Sequence, residues 1–437
     1  MSNVTRLPPP RATPAPQLTE QDVMRQFVDA HKDDLRYNHD TGAWLIWHNN
    51  RWREDRKGKV LEMILGLCRG LSNTATVQKV RFASNVETGA RVMQEVATVN
   101  ENWDNDPWMI GTPGGTVDLQ AGTLRLGLPD DMISKVTACA PSERQDCPRW
   151  LDFLDQALEG KAENIQFLQR ACGYSLTGLT SEEALFYLAG KSGSGKGTAT
   201  TTIKAILRDY GASVPMTMFT DTGWRALEYY RAKLPGKRFV LASEPEKGAT
   251  WSDAFVNEIT GSDHLSARQP RGRVFDFVPS HKLWINGEQV PELKSVASGL
   301  RRRLRIIPFN HPPATPDPNL KSALRNEFPA ILRWMIDGCL DWFENGLNPP
   351  PDIVAAGDEY FRNQDTIARW IEERCDLNPN GNVKPGLALL SFNDWANKYG
   401  EKKLNNNTFH EATKHRFERK TVNGTNYMRG LTLLDPF

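Results

Sequence analysis

Residues 184–198 read Ala-Leu-Phe-Tyr-Leu-Ala-Gly-Lys-Ser-Gly-Ser-Gly-Lys-Gly-Thr. An apolar run of strand length enters Gly190-Lys191-Ser192-Gly193-Ser194-Gly195-Lys196, and the residues that follow can open a helix. Glycines let successive backbone N–H groups turn inward around an anion. The helix adds the positive end of its dipole, and Lys196 reaches the outer phosphates. The order strand, loop, helix predicts an α/β domain that holds a nucleoside triphosphate at Gly190 through Thr198. One position departs from the pattern. Where a Ser or Thr usually supplies a magnesium ligand stands Gly197, and the hydroxyl comes one residue later, at Thr198.

The rest of the composition bounds the partners. With 54 basic and 53 acidic side chains the chain is nearly neutral, so any polyanion must be met by a local patch. The six cysteines form no Cys-x-x-Cys pair and have no His at zinc spacing, which predicts reduced thiols rather than a disulfide or zinc framework. No apolar stretch approaches a membrane span, and residues 1–18 contain five prolines in place of a signal peptide's apolar core. The expectation is a cytoplasmic chain with no membrane partner.

Periodicity divides the chain. A disordered Pro-rich leader (1–20) precedes an α+β N-terminal domain (21–140). That domain has a helix near 20–31, two strand-like runs around an Asn49-Asn50 turn, an amphipathic stretch containing Val60, Met63, Ile64, Leu67 and Cys68, and a hairpin over 112–124. Trp44 and Trp52 read as core more readily than as base-stacking platforms. Residues 147–310 alternate helix and strand as a nucleotide-binding core. A helical segment follows (311–360, helical over 320–347), and then a module at 361–437 in which helices precede two β-like runs, as in a winged helix. Between residues 398 and 429 this module has eight Lys/Arg and three Glu, enough for a phosphate-binding face.

The chemistry needs an acid, a polar reporter and a cation around the phosphates. Residues 237–242 read as a strand leading to Glu244, which would hold or polarise water near magnesium if that strand neighbours the loop's strand; Glu246 is the fallback. A strand over 281–285 ends in Asn286, a neutral amide able to orient water. Arg302 and Arg303 could stabilise charge on the transferred phosphoryl, within the chain or from a neighbouring subunit. Between these strands, two β-like runs flank a turn with Arg268, Arg271 and Arg273, a hairpin whose cationic tip could grip a nucleic-acid backbone.

Taken together, the phosphate loop, Glu244, Thr260-Gly261-Ser262-Asp263 with Ala267-Arg268, the strand ending in Asn286, and Arg302-Arg303-Leu304 through Ile307-Pro308-Phe309 resemble the superfamily 3 helicases. Within them the chain looks most like the phage and plasmid primase-helicases related to the poxvirus protein. Cys147-Pro148-Arg149-Trp150 and Gly173-Tyr174-Ser175-Leu176-Thr177-Gly178 resemble that family's lead-in to its loop, and 44–52 with 115–119 its N-terminal helicase-associated domain. The resemblance implies an AAA+-like P-loop ATPase fold, with ATP and Mg2+ held between subunits of a hexameric ring and single-stranded or forked DNA threaded through the pore. It implies that Lys196 binds phosphates, that Glu244 acts with Thr198 in the magnesium site, and that Asn286 is the sensor. Arg302 and Arg303 would be arginine fingers acting in trans, and Arg271 would sit on a pore hairpin. Such a protein would serve replication of a phage, plasmid or mobile element in the bacterial cytoplasm, with priming from a separate chain. Two other outputs use the same loop: an origin-binding initiator or scaffold that does not unwind, and a nucleotide kinase.

Overall fold

In the computed structural model the described residues are 18–220, 227–242, 244–268, 274–293, 299–422 and 424–434. They divide into two compact units, one within residues 18–117 and 124–136 and the other within residues 118–123 and 137–434.

The first unit packs three helices on a small sheet. Helix Glu20–His31 begins where the Thr19 side chain accepts the Asp22 N–H and Asp22 returns the bond to the Thr19 N–H, a reciprocal cap that satisfies two otherwise orphaned donors. Its Val23, Phe27 and Val28 share a core with Val60, Ile64 and Cys68 of helix Lys59–Leu71 and with Ala83 and Val86 of helix Val80–Ala90. The sheet orders strands Trp52–Glu54, Ala43–Trp47, Leu35–Asn38 and Ala97–Thr98. Asn49 and Asn50, at φ 51° and 62°, make the turn that a two-residue hairpin's twist demands. Trp44 and Trp52 are core: both are buried, and their indole N–H groups donate to Glu87 Oε1 at 3.0 Å and to the Pro129 carbonyl at 2.9 Å.

The second unit is built on a five-stranded, wholly parallel sheet. Its strands in chain order are β1 (Leu185–Ala189), β2 (Gly211–Val214), β3 (Phe239–Ala242), β4 (Lys282–Gly287) and β5 (Leu304–Pro308). Their spatial order is β5-β1-β4-β3-β2. Residues 185–188 and 239–242 are buried at every position, as expected of strands covered on both faces. The condition set for Glu244, a strand next to the loop's strand, is not met: β4 lies between β3 and β1. An aromatic ladder accompanies this order: Trp284 of β4 packs on Phe186 of β1 and on Phe239 of β3, with ring centroids 4.6 and 5.2 Å apart.

The remaining elements differ from expectation in detail. The helix expected over 320–347 is two, Leu320–Asn326 and Phe328–Asn345. The break falls at Glu327, because Pro329 lacks an N–H and fits only the first turn of a new helix. Glu327 in turn accepts the Arg149 and Trp150 N–H groups at 3.0 Å each, capping helix Pro148–Ala157. Strands Leu265–Arg268 and Val274–Phe277 form the expected hairpin; its tip, with Arg271 and Arg273, lies outside the described residues. Toward the C-terminus, helices Thr366–Arg374, Pro385–Tyr399 and Asn406–Thr413 surround Trp370, Phe392, Trp395 and Phe409. Strands Asn382–Val383, Thr425–Arg429 and Arg419–Val422 pair antiparallel in that order. Among the described residues all six cysteines are free, and no helix is long and apolar enough to cross a membrane.

In the first unit one buried ion pair joins distant segments. Asp104 lies 2.8 Å from Lys135 and accepts the backbone N–H groups of Ser134 and Lys135. Burial pushes its carboxyl up, but Lys135, Ser134 and the backbone donors outweigh this and hold it below the usual carboxylate range. The pair's contribution is therefore full above pH ~4, where the unfolded carboxylate is ionised, and is lost as pH falls through the lower folded value. We predict that Asp104→Asn destabilises this unit at neutral pH by about 2–4 kcal/mol and removes the loss of stability that wild type shows as pH falls below about 4, measured by hydrogen exchange of residues 100–136.

Candidate nucleotide-binding site

The loop after β1 is fixed by its neighbours. Gly190 donates its N–H to the Gly287 carbonyl at 3.3 Å, and a Cβ on Gly190 would lie 1.9 Å from the Phe309 carbonyl oxygen. With φ at +149°, only glycine can pass here. The Phe309 N–H is given to the Ala189 carbonyl at 2.6 Å, so β5 and β4 grip the loop's entrance from both sides. Gly193 and Gly195, at φ 80° and 95°, turn the chain into helix Lys196–Leu207. The Lys196 ammonium lies inside the loop, donating to the Gly190 and Lys191 carbonyls at 2.6 and 2.7 Å and to Ser194 Oγ at 3.4 Å. Burial lowers its pKa, while Glu244 and Glu288 favour its charged form.

Three further groups converge on the same carboxyl edge of the sheet. The Glu244 carboxylate accepts the Glu288 backbone N–H at 3.0 Å, and Glu288 Oε1 accepts the Ser192 N–H at 2.7 Å. A chain of two carboxylates thus runs from the end of β3 to the loop, even though β3 is not β1's neighbour. Asn286, opposite Leu188 in the β4–β1 register, donates from Nδ2 to Thr200 Oγ1 at 2.8 Å. The Thr200 hydroxyl proton goes to the Lys196 carbonyl at 3.0 Å, so its lone pair is what remains for Asn286. That fixes the amide's orientation and leaves Asn286 Oδ1 buried without a partner.

Position 197 is open in space. A Cβ on Gly197 would meet nothing within 4 Å, so the lost hydroxyl is not a steric necessity. Thr198 is rotated by about 100° around the helix from residue 197 and does not point where a residue at 197 would. Thr201, one turn on from Gly197, donates to the Gly197 carbonyl.

The arginine pair lies at the opposite edge. Arg302 and Arg303 precede β5, whose Leu304 pairs with Leu185 while its Pro308 pairs with Ala189. The length of β1, about 13 Å at 3.3 Å per residue, therefore separates them from the loop of the same chain. Arg303 is buried, with Nε on Thr260 Oγ1 at 3.0 Å and a 2.8 Å ion pair to Glu183. Arg302 shares Glu183 at 3.0 Å but its side chain is 68% exposed. Of the pair, Arg302 is the one that presents a guanidinium outward.

Among the DNA candidates, Arg268 is exposed at the end of its hairpin strand, and all four residues of Arg419–Val422, with Arg419 and Lys420, are exposed. Sequence reasoning missed Glu288. An acid two residues beyond Asn286 was nonetheless visible in the sequence. Thr200 was missed too, since nothing local marks a helical Thr as the partner of a residue 86 positions away.

Comparison with known proteins follows this geometry. Residues 25–159 match the family model described as D5 N terminal like. The match covers less than a third of the chain, and over it the chain is similar to that domain. This meets the expected likeness to primase-helicases related to the poxvirus protein. The chain is also similar to viral proteins named as putative helicases. "Putative helicase L207/L206" of Acanthamoeba polyphaga mimivirus is 29% identical over 216 residues, 48% of this chain and 22% of the relative. "Putative helicase 022R" of Frog virus 3 (isolate Goorha) is 23% identical over 283 residues, 59% of this chain and 29% of the relative. The matched stretches thus span less than a third of these relatives' own lengths. The A form apo structure of the NrS-1 C terminal region superposes with a TM-score of 0.51 at 10% identity, covering 94% of this chain and 98% of that one. That likeness is one of fold.

Two glycines of the loop separate packing from chemistry. Gly190→Ala should cost about 2–4 kcal/mol, because backbone must move to admit the methyl group. Gly197→Ser should leave the melting temperature unchanged or slightly raised, since it replaces a helical glycine facing open space. Calorimetric melting of both variants checks the pair.

Proposed function

We propose that this chain is the motor portion of an ATP-dependent DNA helicase that forms a ring, hexameric by the family resemblance, and translocates on single-stranded DNA during replication of a mobile element. One observation carries the reading. The phosphate loop, Glu244 and Asn286 meet at one edge of the parallel sheet, whereas Arg302 lies exposed at the other. A guanidinium that cannot reach its own chain's phosphates can reach those of a neighbour, so the site is completed between subunits. The names of the viral relatives support the helicase output. On this reading the second unit is an AAA+-like ATPase core ending in a winged-helix-like module whose Arg419 and Lys420 meet DNA phosphates, together with the hairpin of Arg268, Arg271 and Arg273.

The residues fit ATP and magnesium. Three glycines at positive φ open the loop's N–H groups, and Lys196 already lies among them to bind the β- and γ-phosphates. Among the described residues no group of three or more His, Cys, Asp or Glu could hold a metal, which suits Mg2+. This cation takes one or two carboxylates and completes its shell with phosphate and water. Glu244 would supply a carboxylate, with Thr198 the nearest helical hydroxyl in sequence. When bound, the metal would neutralise charge developing on the transferred phosphoryl. Asn286 Oδ1, free of any partner, would accept a hydrogen bond from the attacking water and orient it, and Arg302 of a neighbouring copy would stabilise the charge on the transferred phosphoryl from outside.

Removal of the ammonium tests this directly. Lys196→Ala should lower DNA-stimulated ATP hydrolysis by about a hundredfold or more and abolish unwinding of a forked duplex while the protein stays folded. Mass measurement with ATP and single-stranded DNA should show a ring. Unwinding by the variant, or a monomer under every condition, would contradict the proposal.

A further inference from the structure

Glu288 occupies one of the backbone donors of the loop after β1. Its Oε1 takes the Ser192 N–H at 2.7 Å, one of the loop's own anion donors, and its charge favours the ammonium of Lys196. The segment that carries it is fastened at every residue. Asn286 is held by Thr200 at 2.8 Å, the Gly287 carbonyl by the Gly190 N–H at 3.3 Å, the Glu288 N–H by Glu244 at 3.0 Å, and the Gln289 carbonyl by the Tyr187 hydroxyl at 2.5 Å. A Cβ on Gly287 would lie 2.0 Å from the Tyr187 hydroxyl oxygen and 3.0 Å from Pro245 Cδ, so glycine alone lets the chain pass close enough to deliver the carboxylate. Glu288 itself is exposed, which leaves it room to swing away. Two anions cannot share one N–H donor, and a loop whose dipoles select phosphate will hold a carboxylate in the same way.

We infer that Glu288 is an internal anion that competes with nucleotide phosphate for the loop, so that phosphate binding exchanges with its side chain. The inference rests on the nucleotide-binding reading of the loop. Because Glu244 accepts the backbone N–H of Glu288, the acid stays in place while the Glu288 side chain leaves. Glu288 is thus a positioning residue: it sets the affinity threshold for polyphosphate. Thr200 and Tyr187, which hold its neighbours, keep the turn in place while the side chain moves.

The test compares wild type, Glu288→Gln and Glu288→Ala, each confirmed folded by its melting curve. A fluorescent ATP analogue is titrated into each, with pyrophosphate and adenosine as competitors. Both variants should bind the analogue and pyrophosphate about tenfold more tightly than wild type, the effect of removing one competing charged hydrogen bond. Adenosine, which has no phosphate to compete, should show the same inhibition constant against all three. Wild type that binds the analogue while Glu288→Gln binds it no more tightly would overturn the inference and leave the nucleotide reading intact. An equal gain for adenosine would also overturn it, by showing a general change in the site. Failure of wild type to bind the analogue at all would instead remove the nucleotide reading and the inference with it.

Discussion

The second unit depends on one close approach, that of Gly190 to the carbonyl of Phe309, where a Cβ would come within 1.9 Å of the oxygen. It sets where β1 stops and the loop begins, and with the Phe309 N–H on the Ala189 carbonyl it locks β5 to the loop's entrance. On the other side the Gly287 carbonyl takes the Gly190 N–H. The loop is therefore held between two strands that arrive from far along the sequence, and its inward donors are positioned before any ligand contributes. Preorganised donors of this kind cost no reorganisation when charge develops on a phosphate.

From that constraint the polarity of the site follows. In a parallel sheet every strand ends at the same edge, so one edge collects the loop, Glu244, Asn286 and Glu288, while the starts of the strands collect Arg302 and Arg303. The separation explains the different states of the two arginines. Arg303 is used within the chain, tying Thr260 to Glu183, whereas Arg302 keeps an exposed guanidinium. A ring in which one subunit's Arg302 faces the next subunit's loop uses both edges.

Much of this was legible in the sequence wherever the signal is local. The helix near 20–31, the Asn49-Asn50 turn and the strand-loop-helix of residues 184–198 each depend on a few adjacent residues, and each appears as expected. Strand order was not legible. Whether β4 sits beside β1 depends on Trp284 meeting Phe186 and Phe239, contacts that no window of sequence contains. The helix over 320–347 failed for a simpler reason: its apolar period continues across Glu327, and Pro329 had to be weighed against it. Glu288 escaped because its role lies in reaching Ser192, 96 positions away.

The measurement closest to the central claim is complementation between two inactive proteins. Lys196→Ala has no working phosphate loop and Arg302→Ala no outward guanidinium. If sites form between subunits, mixing equal amounts should restore about a quarter of wild-type ATP hydrolysis, because about one interface in four pairs an intact loop with an intact arginine. No recovery in mixtures shown to exchange subunits, or full activity of Arg302→Ala alone, would contradict the account.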